Sequence, residues 1–117
     1  MNKVTIKEAE NIINTRKEVL IILETKGVEG VHEYNLKELE DTHPSWSIHT
    51  IDILNVMNIR NKNKLAPLYF EPDTYPTIFI FKDKERKVVI DRVVTDKELS
   101  SIMLDVELDR FELVASN

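Results

Sequence analysis

The spacing of apolar positions changes several times along the chain, and each change marks an element. Val4-Thr5-Ile6 reads as a short edge strand, after which Ala9, Ile12 and Ile13 recur at helical spacing over residues 7–16. Glu18-Val19-Leu20-Ile21-Ile22-Leu23-Glu24 is then a continuous apolar run closed by a charge at each end. Its length and β-branching predict a central strand buried on both faces, the pattern of parallel sheets. Gly27 and Gly30, the only two glycines in the chain, follow at once and mark a shaped loop. Val31, Tyr34, Leu36 and Leu39 predict a helix over residues 31–41 that ends before Pro44.

From residue 45 to residue 59 the apolar positions fit neither period. A strand over residues 53–59 is the preferred placement and one over 47–53 the alternative. A polar helix start at 61–64 leads into a short helix at 65–70, and Glu71-Pro72-Asp73-Thr74 is a turn by composition. Two β-rich runs, residues 77–82 and 87–93, flank Asp83-Lys84-Glu85-Arg86 and predict an antiparallel hairpin. Thr95 and Glu98 have the spacing of a capping box, opening a helix with Leu99, Ile102, Met103 and Val106 on one face. Beyond Glu107, Leu108, Phe111, Leu113 and Val114 extend this helix or form a further strand. The predicted order is β-α-β-α-β-α-β-β-α: one α/β domain over residues 1–117, with a central mixed sheet flanked by helices.

Thr74-Tyr75-Pro76-Thr77-Ile78-Phe79-Ile80-Phe81 resembles the proline-strand signature of thioredoxins. Leu65-Ala66-Pro67-Leu68-Tyr69 resembles their third-helix pattern, Phe81-Lys82-Asp83-Lys84-Glu85 their hairpin turn, and Val19 to Leu23 the strand that runs into their redox loop. The proline falls one residue later than the family pattern, so Glu71 to Thr74 holds a small insertion. The resemblance covers about residues 3–107 and leaves 108–117 as a C-terminal extension. It implies the thioredoxin-like fold and a cis bond before Pro76. It also implies that Val28-Glu29-Gly30-Val31 stands where the family has Cys-x-x-Cys, and Ile22 where it has a buried acid.

That last correspondence decides against the family's chemistry. The chain has no cysteine, so no thiolate is available for disulfide exchange, for a disulfide staple or for a thiolate zinc site. The net charge of −5, with acids and bases interspersed, argues against binding a phosphate backbone. The apolar run of β-type residues is far too short to span a bilayer, and no secretory leader is visible, so a cytoplasmic protein is expected. His32, His43 and His49 lack the spacing of a ligand set, and no phosphate loop, Ser/His/Asp order or nucleophile elbow is present. No cofactor, metal or enzymatic activity is expected.

What the resemblance leaves is a binding face. In thioredoxins the backbone before the cis-proline pairs with an extended client segment, a form of β-augmentation. The expected groove is therefore Val28, Glu29, Gly30, Val31, Tyr75 and Pro76, with Val93 and Val94 as a third wall. The expected function is a redox-inactive adaptor, chaperone-like or regulatory module for a protein partner. The alternative is a structural subunit that assembles through a sheet edge or through Phe111, Leu113 and Val114. Trp46, the sole tryptophan, reads as a core plug.

Overall fold

The chain starts on a reciprocal cap. Thr5 Oγ1 accepts the Glu8 backbone N–H at 3.1 Å, and Glu8 Oε1 accepts the Thr5 N–H at 2.9 Å. These bonds, from the Thr5 backbone first and its side chain next, hold the Glu8 carboxyl below its ordinary pKa. α1 (Ile6–Thr15) begins there in the computed structural model, which describes residues 3–24, 33–52, 77–90 and 92–110. The expected edge strand at 4–6 is thereby overturned. Ile6 is already helical, and before it stands one isolated parallel bridge from Lys3 to Thr50. The Thr5-x-x-Glu8 pattern that decides this is visible in the sequence and outweighs the β-branching of Val4-Thr5-Ile6.

β1 (Glu18–Glu24) is the buried interior strand, as its apolar run predicts. It pairs in parallel with β2 (Ser47–Asp52) and antiparallel with β3 (Thr77–Lys82), and β3 pairs antiparallel with β4 (Glu85–Ile90). The sheet order is β2-β1-β3-β4. β2 is the strand that the alternative placement, 47–53, expects. The register sets Ile48 beside Leu20 and Ile51 beside Leu23, which gives two isoleucines to the two buried faces. Residues 53–59 and the helix expected at 65–70 lie outside the described residues.

Period-two alternation divides the core. Val19, Ile21, Leu23, Phe79 and Phe81 pack with Ile6, Ala9 and Ile13 of α1 on one face. Leu20, Ile22, Ile48, Ile78 and Ile80 pack on the other, against α2 (Leu36–Thr42) and α3 (Asp96–Glu107). Full burial of such side chains stabilises by roughly 1.5–3 kcal/mol each, so this two-faced strand pair anchors the fold.

α2 is shorter than expected. Asn35 Oδ1 accepts the Glu38 N–H at 3.1 Å and caps the helix, so Tyr34 stands before the first turn, not within it. α3 opens as predicted, with Thr95 Oγ1 accepting the Glu98 N–H at 3.0 Å. The hairpin loop is also tighter than the sequence suggests. Asp83 and Lys84 alone form it, at φ 52° and 70°, the two positive values of a type I′ turn that matches strand twist. Glu85 and Arg86 are therefore strand residues, and β4 ends at Ile90, short of Val93. A bulge opposite Ile80 and Phe81 leaves Lys87 as the extra residue of β4.

Candidate functional site

The face expected to bind lies at the end of the sheet where β1, β2 and β4 finish and β3 begins. Leu23 near the end of β1 pairs with Thr77 at the start of β3, and Ile78 pairs with Ile90 at the end of β4. The chain thus leaves β1 toward residues 25–32, enters β3 from residue 76, and leaves β4 toward Val93, all at one end of the sheet. Val28, Glu29, Gly30, Val31, Tyr75 and Pro76, with the bond before Pro76, lie outside the described residues. Of the third wall, Val93 is 57% exposed and Val94 is 1% exposed. Val93 presents an apolar side chain to solvent, whereas Val94 belongs to the core with Leu99 and Met103.

Tyr34 fixes this wall. Its hydroxyl donates to the Val94 carbonyl at 2.9 Å and accepts the Val94 N–H at 3.3 Å. One side chain therefore satisfies both backbone groups of a residue that belongs to neither β4 nor α3. Burial is the main cause of an upward shift in the phenol's pKa, with the bond to Val94 opposing it. Next to it, the Asn35 backbone N–H donates to Asp96 Oδ2 at 2.8 Å. The start of α2 is bolted to the start of α3, and both bolts sit beside Val93. Sequence spacing places Tyr34 on a helix face instead, because a contact across 60 positions leaves no local signal.

The opposite end of the sheet holds more polar chemistry. Lys82, 4% exposed at the end of β3, donates from Nζ to the Val106 carbonyl at 3.3 Å, the Glu107 carbonyl at 3.0 Å and Asp109 Oδ1 at 2.8 Å. A cation here meets the carbonyls that a helix C-terminus leaves without intrahelical donors. The bond from Lys82 also holds the Asp109 carboxyl below its ordinary pKa. Asp109 stands at φ 58°, a left-handed turn that ends the helix, so of the two alternatives beyond Glu107 the helical extension is broken there. Phe111, Leu113 and Val114 lie outside the described residues.

Trp46 Nε1 donates to Glu107 Oε1 at 2.8 Å, and its ring packs with Leu39 and Ile48. The core-plug reading of Trp46 holds, with a polar tether added. His43 Nε2 lies 2.6 Å from Ser100 Oγ, and its ring meets Trp46 edge-on at 6.3 Å. Burial lowers the His43 pKa, and the nearby Glu107 charge works against that shift. A serine–histidine pair invites a nucleophilic reading. Ser100 lies inside α3, however, where neighbouring N–H groups are spent on helical carbonyls and leave no donors for an oxyanion. The pair serves to join the end of α2 to α3. Among the described residues no group of three or more His, Asp or Glu is placed to hold a metal ion, and no helix is long and apolar enough to cross a membrane.

No protein-family model matches the chain, and no curated protein sequence does either. Solved structures do. Oxidised thioredoxin from Plasmodium falciparum superposes with a TM-score of 0.69 at 14% identity, covering 91% of this chain and 97% of that one. Mitochondrial thioredoxin 3 from Saccharomyces cerevisiae gives 0.66 at 17% identity, covering 90% and 94%. Thioredoxin O2 from Arabidopsis thaliana gives 0.61 at 18% identity, covering 89% and 93%. The fold is therefore thioredoxin-like, a mixed sheet of the α/β class with helices on both faces. This chain carries it without a single cysteine.

Proposed function

We propose that this chain is a protein-binding module that uses the end of the thioredoxin-like sheet where thioredoxins carry their thiols. It would act in the cytoplasm as an adaptor, a chaperone-like holder or a regulatory subunit. Thiol–disulfide exchange is closed to a chain without cysteine, and binding is what remains of that site's work. The observation that carries the reading is Val93, an apolar side chain 57% exposed on a wall whose backbone Tyr34 holds in place. An exposed apolar side chain on a rigid support suits contact with an extended segment, for which main-chain bonds give affinity and side pockets give selectivity. Residues 28–31 and 75–76 would complete the groove.

The test is a quantitative pull-down under reducing conditions with the wild type, Val93→Asp and Val28→Arg. Both variants are expected to keep the thermal midpoint of the wild type and to lose the same partner. A partner set unchanged by both substitutions would rule the groove out.

The second reading is assembly through a sheet edge or the C-terminal segment. In its favour, β4 is an edge strand and Leu108 is 51% exposed just past α3. Against it, β4 opens with Glu85, Arg86 and Lys87, and edge charges deter strand pairing. It therefore ranks below the groove.

A further inference from the structure

The sequence presents its acids as interspersed with bases, but the fold gathers them. α2 carries Glu38, Glu40 and Asp41 against Lys37, a net −2, and α3 carries Asp96, Glu98, Asp105 and Glu107 against Lys97, a net −3. Together these two helices equal the whole chain's −5, so the remaining residues cancel. Both helices lie on the same face of the sheet. These two helices alone therefore carry a net charge equal to that of the whole chain.

That layer also has a cleft. Between α2 and α3 lies an open space of about 650 Å3, with Leu39, Thr42, Ser100, Ser101 and Leu104 among its lining residues. The small side chains Ser100, Ser101 and Thr42 leave the space between the two helices unfilled. Leu39 is buried, while Leu104 is 40% exposed and Leu108, one turn further along, is 51% exposed. Leucines at i and i+4 share a helix face, so an apolar strip continues from the cleft toward the end of α3. Glu38 and Asp96 meet around Asn35 at the other end of the cleft, about 12 Å of helix rise from Leu104. Arginines offset part of the charge, since Arg92 lies 3.8 Å from Glu98 and Arg110 2.9 Å from Asp105. With these two cations included, the surface of α2 and α3 keeps a net charge of −3.

We propose that the α2–α3 layer is a docking surface for a basic amphipathic helix of a partner protein. Two exposed leucines one turn apart beside a cleft suit a helix that presents apolar residues at i and at i+3 or i+4. The excess of acid selects a partner with Lys and Arg flanking that stripe and raises the rate at which it arrives. A second copy of this chain is disfavoured as the occupant, because an isologous contact would set one acidic layer against another. The cleft begins at the Asn35–Asp96 contact beside Val93, but Leu104 and Leu108 lie toward the opposite end of α3, so the apolar strip does not depend on the groove.

Fluorescence anisotropy with a labelled helical peptide of about 18 residues, leucine on one stripe and lysine elsewhere, tests the surface on the full chain. The expected result is saturable binding that weakens about tenfold in Leu104→Asp and also in Leu108→Lys, a second exposed site that keeps the test open if one variant misfolds. Val93→Asp is expected to bind the peptide like the wild type, which separates this surface from the groove. A scrambled peptide of equal charge is expected to bind about tenfold more weakly. Equal binding by the scrambled peptide, or by both leucine variants, would reduce the effect to charge alone and overturn the proposal. A wild-type dimer abolished by Leu104→Asp would overturn it too, by assigning the strip to a second copy.

Discussion

The two ends of the sheet use polar side chains differently. At the end where β1 leads toward residues 25–32, the polar contacts among the described residues secure backbone: Tyr34 holds Val94, and Asn35 meets Asp96. At the other end, Lys82, Trp46 and His43 bring an ammonium, an indole N–H and an imidazole within reach of Val106, Glu107, Asp109 and Ser100. By residue type, the second end looks more like an active site. Each of these groups is nevertheless committed to the end of α2 or to α3. Satisfied buried networks of this kind give a core rigidity and a unique arrangement. Chemical variety at a site is therefore no sign of catalysis by itself, since these groups are spent on holding helices.

The sharpest way to break that contrast is to remove Lys82. Lys82→Met keeps much of the stem's volume and deletes three bonds from a charged donor, leaving the Val106 and Glu107 carbonyls without it. Bonds to charged groups contribute about 1.5–3 kcal/mol, so a loss of about 2–3 kcal/mol is expected in urea denaturation followed by circular dichroism. A loss below about 0.5 kcal/mol, the range of an ordinary surface substitution, would show that the far end is not held by this lysine.

A smaller effect probes the near end. Tyr34→Phe keeps the ring in the core and removes only the hydroxyl that bridges the Val94 N–H and carbonyl. The expected cost is about 1 kcal/mol, with faster hydrogen exchange at the Val94 amide and little change in β1. If the Val94 amide exchanged at its wild-type rate, the wall beside Val93 would be held by something other than Tyr34.

These two positions also show what a linear reading can and cannot reach. β1 was legible because a run of five apolar residues bounded by glutamates has few alternatives to a buried strand. α3 was legible because its capping box and apolar face are local. β2 is ambiguous in the sequence because the apolar residues between 45 and 59 fit neither period, and pairing with β1 is what marks Ser47–Asp52 as a strand. The hairpin was read two residues too long because Asp83 and Lys84 are not the asparagine–glycine pair that announces a type I′ turn. Lys82 looked like the polar end of a strand. Its role depends on the carbonyls of Val106 and Glu107, 24 and 25 residues away, and no sequence period carries that information. The clustering of acids on α2 and α3 stayed hidden for the same reason: they are distant in sequence and share a layer only in the fold.

The smallest expected effect concerns His43. Burial lowers its pKa from the ordinary 6.5, and the Glu107 carboxylate only partly offsets this. Below pH 6.5 the unfolded chain therefore takes up a proton that the folded chain resists, so acid favours unfolding. The stability contributed by neutral His43 is fully present above pH 6.5 and declines as the pH falls below that value toward the lowered folded pKa. Asp109 and Glu8, whose pKa values are also lowered, lose their contributions further down, as the pH falls below the ordinary carboxylate values of 3.8 and 4.5. The histidine window is thus separate from the carboxylate one. Denaturation midpoints between about pH 7.5 and 5 should fall for the wild type and stay nearly level for His43→Gln, which places an amide against Ser100. A wild-type midpoint that rose on acidification would mean that the Glu107 charge, and not burial, governs the ring. His43 would then be a charged partner within the far-end network, and the contrast between the two ends would rest on Lys82 and Trp46 alone.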